Sequence, residues 1–360
     1  MRLVYGGDFF EHGSCVYRRR AMERLGFTLF PFDFAPYMAA GGPLARRVRV
    51  RLLVGRQVER FNRDLLAFVA EVRPAVVWLD KPVFLWPETV TALQALGAVV
   101  VNYITDNPYG TLFEPWFRLT RRTIPVFDVN IVPRPSSVAD FTRAGAGRVV
   151  LMPFAFDPVQ QFPVPVAEVA RTVPVSFIGA PYDNRPRFLA ALAATGQPVL
   201  IRGERWHRHL PRRVANITFG PLAWSADYRR AIQDSAICLS FVTHHNHDPY
   251  AHKSFEITAC GSLLLAERTP GHAALFEEGR EAAFFGSVAE AAEKCRFLLG
   301  ASQHREDMAR AGCRRAWRSG YSNDERIAAA FTEIDPPFGR LLAERARVII
   351  AGRRAELGLD

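Results

Sequence analysis

The chain alternates short apolar runs with longer stretches whose apolar residues recur every three or four positions. In the first half the runs fall at residues 3–5, 29–32, 76–79, 99–103, 129–132 and 149–152. Each is long enough for a buried strand and helix-length segments separate them, so the pattern predicts a parallel sheet covered by helices. Residues 88–96 show how such a helix is written. Pro87 opens it, Val90, Leu93 and Leu96 share one face, and Gly97 stops it.

Residues 154–174 interrupt the alternation with Pro158, Pro163, Pro165 and Pro174, and read as a connection between domains. A second alternating unit follows. Its strands are expected at 175–178, 199–202, 217–219, 237–241, 263–266 and 283–285, with helices near 186–195, 225–234, 254–260, 287–299 and 302–317. After Tyr321 come a helical stretch, Pro336-Pro337 and a basic helix expected at 339–354, a segment able to cross back to the first domain. The expected organisation is an α/β chain with two Rossmann-like parallel-sheet domains, 1–170 and 171–322, and closing helices over 323–360. Sheets facing each other across a cleft would present their ligand loops there, at the carboxyl ends of the strands.

With 360 residues, 49% of them hydrophobic, the chain has material for two cores. No apolar run approaches the roughly 18 residues of a spanning helix, and the opening residues read as a strand and turn rather than a secretory leader. The expected location is cytoplasmic. Cys15, Cys238, Cys260, Cys295 and Cys313 are odd in number and form no Cys-x-x-Cys pair, so they read as small buried apolar residues rather than a disulfide frame or zinc site.

The net charge of +10 rests on arginine, since Lys81, Lys253 and Lys294 are the only lysines. Arginines concentrate at Arg46, Arg47, Arg49, Arg51 and Arg56, and again at Arg340, Arg345, Arg347, Arg353 and Arg354. A solvated helix face explains such clusters. An anionic membrane surface or an acidic acceptor fits them too, which leaves peripheral contact with the inner face of a membrane open; nucleic acid is not expected.

The chemistry concentrates at residues 248–256, where Asp248 and Glu256 bracket the start of a predicted helix. A helix N-terminus offers unsatisfied amides and about half a positive charge, and Lys253 adds a full one, so a diphosphate fits there. An acid then remains on each side for hydroxyls, which suits a nucleoside-diphosphate sugar; Ser254 and His252 join the candidate donor contacts. Upstream, Gly179 ends one strand and Arg185 opens the next helix, where its fork can reach a phosphate. A tight turn with a surface arginine is the plainer reading of the same residues. Gly203 with Trp206, and Gly220, end the next two strands, so these loops align along one sheet edge.

His244, His245, His247 and His252 lack the paired spacing of a zinc site and fit hydrogen bonding to a donor sugar or phosphate better. In the first half, Gly6-Gly7-Asp8 follows the first strand, with His12 four residues on. Asp8, His12 and Asp106 are the acceptor-side candidates, for hydroxyl binding or as a base, with helix capping an equal alternative.

Phe177-Ile178-Gly179 with Arg185, residues 203–206, Lys253-Ser254-Phe255-Glu256-Ile257, Ala259-Cys260-Gly261 and Glu278-Gly279-Arg280-Glu281-Ala282 together resemble the carboxyl-terminal domain of CgeB-like glycosyltransferases, a branch of the two-domain GT-B enzymes. Lys81-Pro82, Trp86-Pro87-Glu88-Thr89 and residues 103–108 are similar to the amino-terminal domain of that family. So are Phe127-Asp128-Val129, Gly145-Ala146-Gly147 and residues 153–158. The resemblance implies a GT-B fold and transfer of a sugar from a nucleoside-diphosphate donor to an unidentified glycan, lipid or protein acceptor, with no metal or other cofactor.

Retaining members bind the donor with a Glu-x7-Glu motif, and the same spacing stands here with Asp248 in the first place. The resemblance implies that Glu256 binds the ribose and that Asp248, one methylene shorter than the family residue, faces the transferred sugar. Lys253 and Arg185 would neutralise the leaving diphosphate. A nucleotide-sugar epimerase of the same architecture, and a non-catalytic binding protein on a transferase scaffold, are the competing readings.

Overall fold

The structure, a computed structural model, describes residues 1–39, 42–111, 115–165 and 168–360. The chain forms two compact units, Met1–Pro153 with Asn323–Arg347, and Phe154–Ser322 with Val348–Asp360.

In the first unit the chain runs through β1 (Arg2–Gly7), α1 (Ser14–Arg24), β2 (Thr28–Asp33), α2 (Ala35–Ala39), α3 (Pro43–Leu52), α4 (Arg56–Val72) and β3 (Val76–Asp80). It continues through α5 (Pro87–Ala95), β4 (Val99–Tyr103), α6 (Phe117–Thr123), β5 (Val129–Val132), α7 (Pro135–Arg143) and β6 (Val149–Leu151). The six strands pair in parallel in the order β2-β1-β3-β4-β5-β6. Central strands such as β3 are buried along their whole length, which is why they read as unbroken apolar runs.

The second unit contains β7 (Val173–Ile178), α8 (Arg185–Ala194), β8 (Val199–Arg202), β9 (Ile217–Gly220), α9 (Ser225–Gln233), β10 (Ser235–Ser240) and α10 (His252–Ala259). It ends with β11 (Leu263–Glu267), α11 (Pro270–Leu275), β12 (Ala283–Phe285), α12 (Val288–Gly300) and α13 (Ser302–Arg318). Its sheet is again six-stranded and parallel, in the order β12-β11-β10-β7-β8-β9. All five cysteines are buried and free, as expected of small apolar residues.

Two boundaries differ from the sequence expectation. The first unit ends at Pro153, not at residue 170. Residues 154–157 are not a loose connection, because Phe154 and Phe156 are buried with the second unit's core and Phe156 packs on Trp317 at a centroid distance of 5.0 Å. The last segment divides as well. α14 (Asn323–Ile334) belongs to the first unit, where Phe331 packs on Phe27 and Trp78, and α15 (Pro336–Glu356) starts in that unit and ends in the second. Pro336 and Pro337 open α15 rather than break it, since a proline in the first turn gives up an amide that has no helical partner.

Candidate active site

The second sheet grows from β7 outward to β8 and β9, then returns to add β10 on the other side. At this reversal the loops after β7 and β10 leave in opposite directions and open a crevice at the strand ends. The first loop holds Gly179 and leads to α8; the second holds Asp248 and leads to α10.

The loops are tied together. Asp183, held at a left-handed φ of 51°, accepts from the amide of His244 at 2.9 Å and pairs with Nδ1 of His245 at 3.1 Å. Arg185 bridges the same gap, donating to the Val242 carbonyl and to Thr243 Oγ1, each at 3.1 Å, and to the Ala180 carbonyl at 3.3 Å. Its guanidinium is buried, its Nε has no hydrogen-bond partner, and burial pulls its pKa down against the opposing pull of Asp183. Asp248 closes the second loop on itself: its Oδ2 accepts from the Thr243 amide at 3.3 Å and its own amide donates to the Thr243 carbonyl at 3.2 Å.

α10 carries Lys253 and Glu256 on one face, three residues apart. Tyr228 of α9 donates its hydroxyl to Glu256 Oε2 at 2.5 Å, and Lys253 Nζ donates to the same hydroxyl oxygen at 3.2 Å. His252 Nε2 lies 3.9 Å from Glu256 Oε1, while its ring stacks on Phe154 and the same Nε2 pairs with the Ala155 carbonyl at 2.8 Å. Burial works against ionisation of Glu256, but His252, Lys253 and the Tyr228 hydroxyl outweigh it and hold the carboxyl below its usual range. Burial, against the pull of Glu256 and with the push of Arg185, lowers the Lys253 pKa. The Lys253 stem passes close to Gly179: a Cβ built there would lie 3.4 Å from Lys253 Cε and 2.9 Å from the Phe177 ring. Gly179, Arg185, Lys253 and Glu256 therefore converge, and His252 edges the same group.

Other expected donor contacts hold the frame instead. Ser254 is fully buried, so its hydroxyl does not line the crevice; it meets Ser240 Oγ at 3.1 Å and His272 Nε2 at 2.9 Å. Since His272 Nδ1 sits 2.8 Å from the Glu267 carbonyl, which can only accept, Nε2 is the acceptor for Ser254 and for the Ala251 amide at 3.2 Å. Trp206 is likewise buried, donating from Nε1 to the Gly179 carbonyl at 2.8 Å. Gly203, at φ 157°, lets that carbonyl approach, because a Cβ there would meet it at 2.1 Å. Gly220 packs under the Arg202 guanidinium.

The four histidines do not converge. His244 pairs with Glu267 at 2.8 Å, His245 with Asp183 and His252 with Ala155, while His247 turns the loop at φ 57°. Among the described residues no group of three or more His, Cys, Asp or Glu side chains could hold a metal ion.

The first unit has its own reversal between β1 and β3, and a cavity of about 460 Å³ opens there. Asp8, Arg18, Asp80, Lys81 and Trp116 are among its lining residues. Asp8 accepts from the Phe10 amide at 3.2 Å, a local turn. Asp106 forms an ion pair with Lys81, and His12 packs edge-on to Phe10; neither lines the cavity. Asp80, absent from the sequence candidates, is a buried carboxylate with three side-chain donors at this cavity. Its Oδ2 receives Arg18 NH2 at 2.6 Å, Arg18 Nε at 2.9 Å and the Tyr5 hydroxyl at 2.9 Å, all buried. The only sequence signal was an acid ending a fully apolar strand.

Comparison with known proteins bears on this site. Residues 185–332 match the family model described as glycosyl transferase-like, a span that includes α8, Tyr228 and α10. No match was found among curated protein sequences. Among solved structures the chain is similar to the sucrose-phosphate synthase of Thermosynechococcus elongatus, at 13% identity and a TM-score of 0.66, over 96% of this chain and 100% of that one. It is also similar to Anabaena HepE in complex with UDP and glucose, at 12% identity and a TM-score of 0.64, over 92% and 100%. A trehalose-6-phosphate synthase studied for glycosyl transfer with retention matches at 11% identity and a TM-score of 0.54, over 99% of each chain. These neighbours share the GT-B fold. By the family match over residues 185–332, the protein is an enzyme of the glycosyltransferase type.

Proposed function

We propose that the protein transfers a sugar from a nucleoside-diphosphate donor held at the β7–β10 reversal, with retention of anomeric configuration and without a metal, in the manner of the CgeB-like branch. The observation that carries this reading is the ionised, buried Glu256 beside Lys253 at the first turn of α10. A carboxylate kept charged in a buried site accepts two vicinal ribose hydroxyls well. Lys253 and Arg185, with the α10 amides, supply positive charge where the departing diphosphate gathers negative charge, which is the task a metal performs in other transferases. HepE, whose structure holds UDP and glucose, and the trehalose-6-phosphate synthase studied for retention share the fold and support the reading.

A thermal-shift series with UDP, GDP and dTDP and their sugars tests it. One nucleoside diphosphate should stabilise the protein, by about 2.7 kcal/mol at a hundred times its dissociation constant. Glu256→Gln, which keeps shape and removes charge, should abolish that shift and donor turnover; its ligand-free melting temperature should fall as well, because Lys253 loses a buried counter-charge, so both readouts are taken below the variant's own melting point. Undiminished donor hydrolysis or transfer by this variant would sink the site assignment, and turnover that stops in a metal chelator would sink the metal-free part. Formation of an epimeric sugar with no acceptor present would favour the epimerase.

A further inference from the structure

Among its described side chains helix α3 carries no buried residue, yet it holds more exposed large aliphatic side chains than a solvated helix needs. Leu44 is 74% exposed, Val48 47% and Leu52 49%, and Val54 just beyond the helix is 63% exposed. At roughly 100° per residue, Leu44, Val48 and Leu52 form one stripe about 80° wide. Arg47 and Arg51, four residues apart and exposed, run along its edge. The other side faces the body of the first unit: Arg49 donates to the Tyr37 carbonyl at 2.9 Å, and Val50 with Arg46 lines a groove of about 620 Å³ whose rim Arg47 and Arg51 also form, with Met38 and Trp116 across it. From Phe34 to Val58 the chain has five arginines and no acid.

We propose that α3 docks this protein on an anionic lipid bilayer, lying in the interface with Leu44, Val48 and Leu52 inserted and Arg47 and Arg51 at the headgroups. An apolar stripe edged by arginines on the exposed face of a surface helix is the arrangement that membrane-surface helices use, since long arginine stems let the charge stay wet while the stripe is buried. Another copy of this chain fits the face less well, because a symmetric contact would set arginine rows against each other with no acid on the segment to neutralise them. The inference stands apart from the donor-site reading, which concerns the other unit.

Vesicle flotation of the full chain decides the matter. Vesicles of phosphatidylcholine with phosphatidylglycerol should carry the protein, vesicles of phosphatidylcholine alone should not, and added salt should release it. Arg47→Ser with Arg51→Ser should weaken partitioning on the order of thirtyfold, at about one kcal/mol per arginine. Leu44→Ser with Val48→Ser should weaken it by at least about tenfold, from lost apolar burial. Both pairs should keep the wild-type melting temperature and the wild-type response to nucleotide. That last readout separates a failure here from a failure of the donor site. The proposal is overturned by equal binding to neutral vesicles, by no binding to either, or by indifference to the aliphatic pair. It is overturned too if the aliphatic pair instead changes the oligomeric state in sedimentation, or if only arginine loss matters and duplex DNA binds equally well.

Discussion

Lys253 sits where three influences compete. Burial pulls its pKa down, Glu256 pulls it back up and Arg185 pushes it down again, for a net lowering from the ordinary lysine value of 10.5. An anionic ligand binds the protonated form, so nucleotide affinity should be constant at neutral pH and fall as pH rises through a midpoint below 10.5. Lys253→Met should bind UDP about ten- to a hundredfold more weakly, the worth of one charged hydrogen bond, with that alkaline fall absent; calorimetric titration across pH measures both. A wild-type affinity that stays level to the ordinary lysine range would contradict the burial assigned to this side chain. The sequence pointed to Lys253 by its charge at a helix start and to Glu256 by its spacing from Asp248, and their three-residue separation is what sets the two on one helical face. The same spacing argument shows why Ser254 was misread: two positions from Glu256 is roughly 200° around the helix, which sends its hydroxyl to the core. Tyr228 left no signal, since it reaches Glu256 from a separate helix and only the tertiary fold brings the two within 2.5 Å.

At the scale of elements, α10 is held at its N-terminus by His272 of α11, to which both Ser254 and the Ala251 amide are bonded. Burial lowers the His272 pKa from 6.5 to about 4, with the Glu267 backbone bond opposing. The unfolded chain therefore takes up a proton near pH 6.5 that the folded chain refuses until about pH 4. Stability from this group is fully present above 6.5 and drains away as pH falls toward about 4, by roughly 3 kcal/mol. His272→Asn should be destabilised at pH 7, and its deficit relative to wild type should shrink by about 2 kcal/mol at pH 4.5. Urea unfolding at the two pH values checks this; a deficit that stays constant would mean His272 titrates normally. Strands were the most legible elements, because burial on both faces writes them as apolar runs. α11 was not anticipated, being only six residues long, and α3 was legible only as a basic helix face, since none of its described apolar side chains is fully buried to write an inward stripe.

For the whole molecule, chain order and unit membership part company. Residues 323–347 lie far along the sequence but complete the first unit, and the reason is a set of contacts no local pattern encodes. Asp324 is fully buried and accepts two parallel bonds from Arg24, at 2.9 and 2.7 Å, while Phe331 packs 4.8 Å from Phe27 and 5.9 Å from Trp78. Arg24→Met removes the charge but keeps most of the apolar stem, taking this counter-charge from a buried carboxylate, a loss of about 3 kcal/mol. The proposed donor residues all belong to the second unit. The variant should thus lower the melting of the first unit while the thermal shift produced by nucleotide keeps its wild-type size, and limited proteolysis should cut first between residues 322 and 348. If nucleotide binding weakened in proportion to the lost stability, the donor site would depend on the first unit in a way that the contacts within the second do not require.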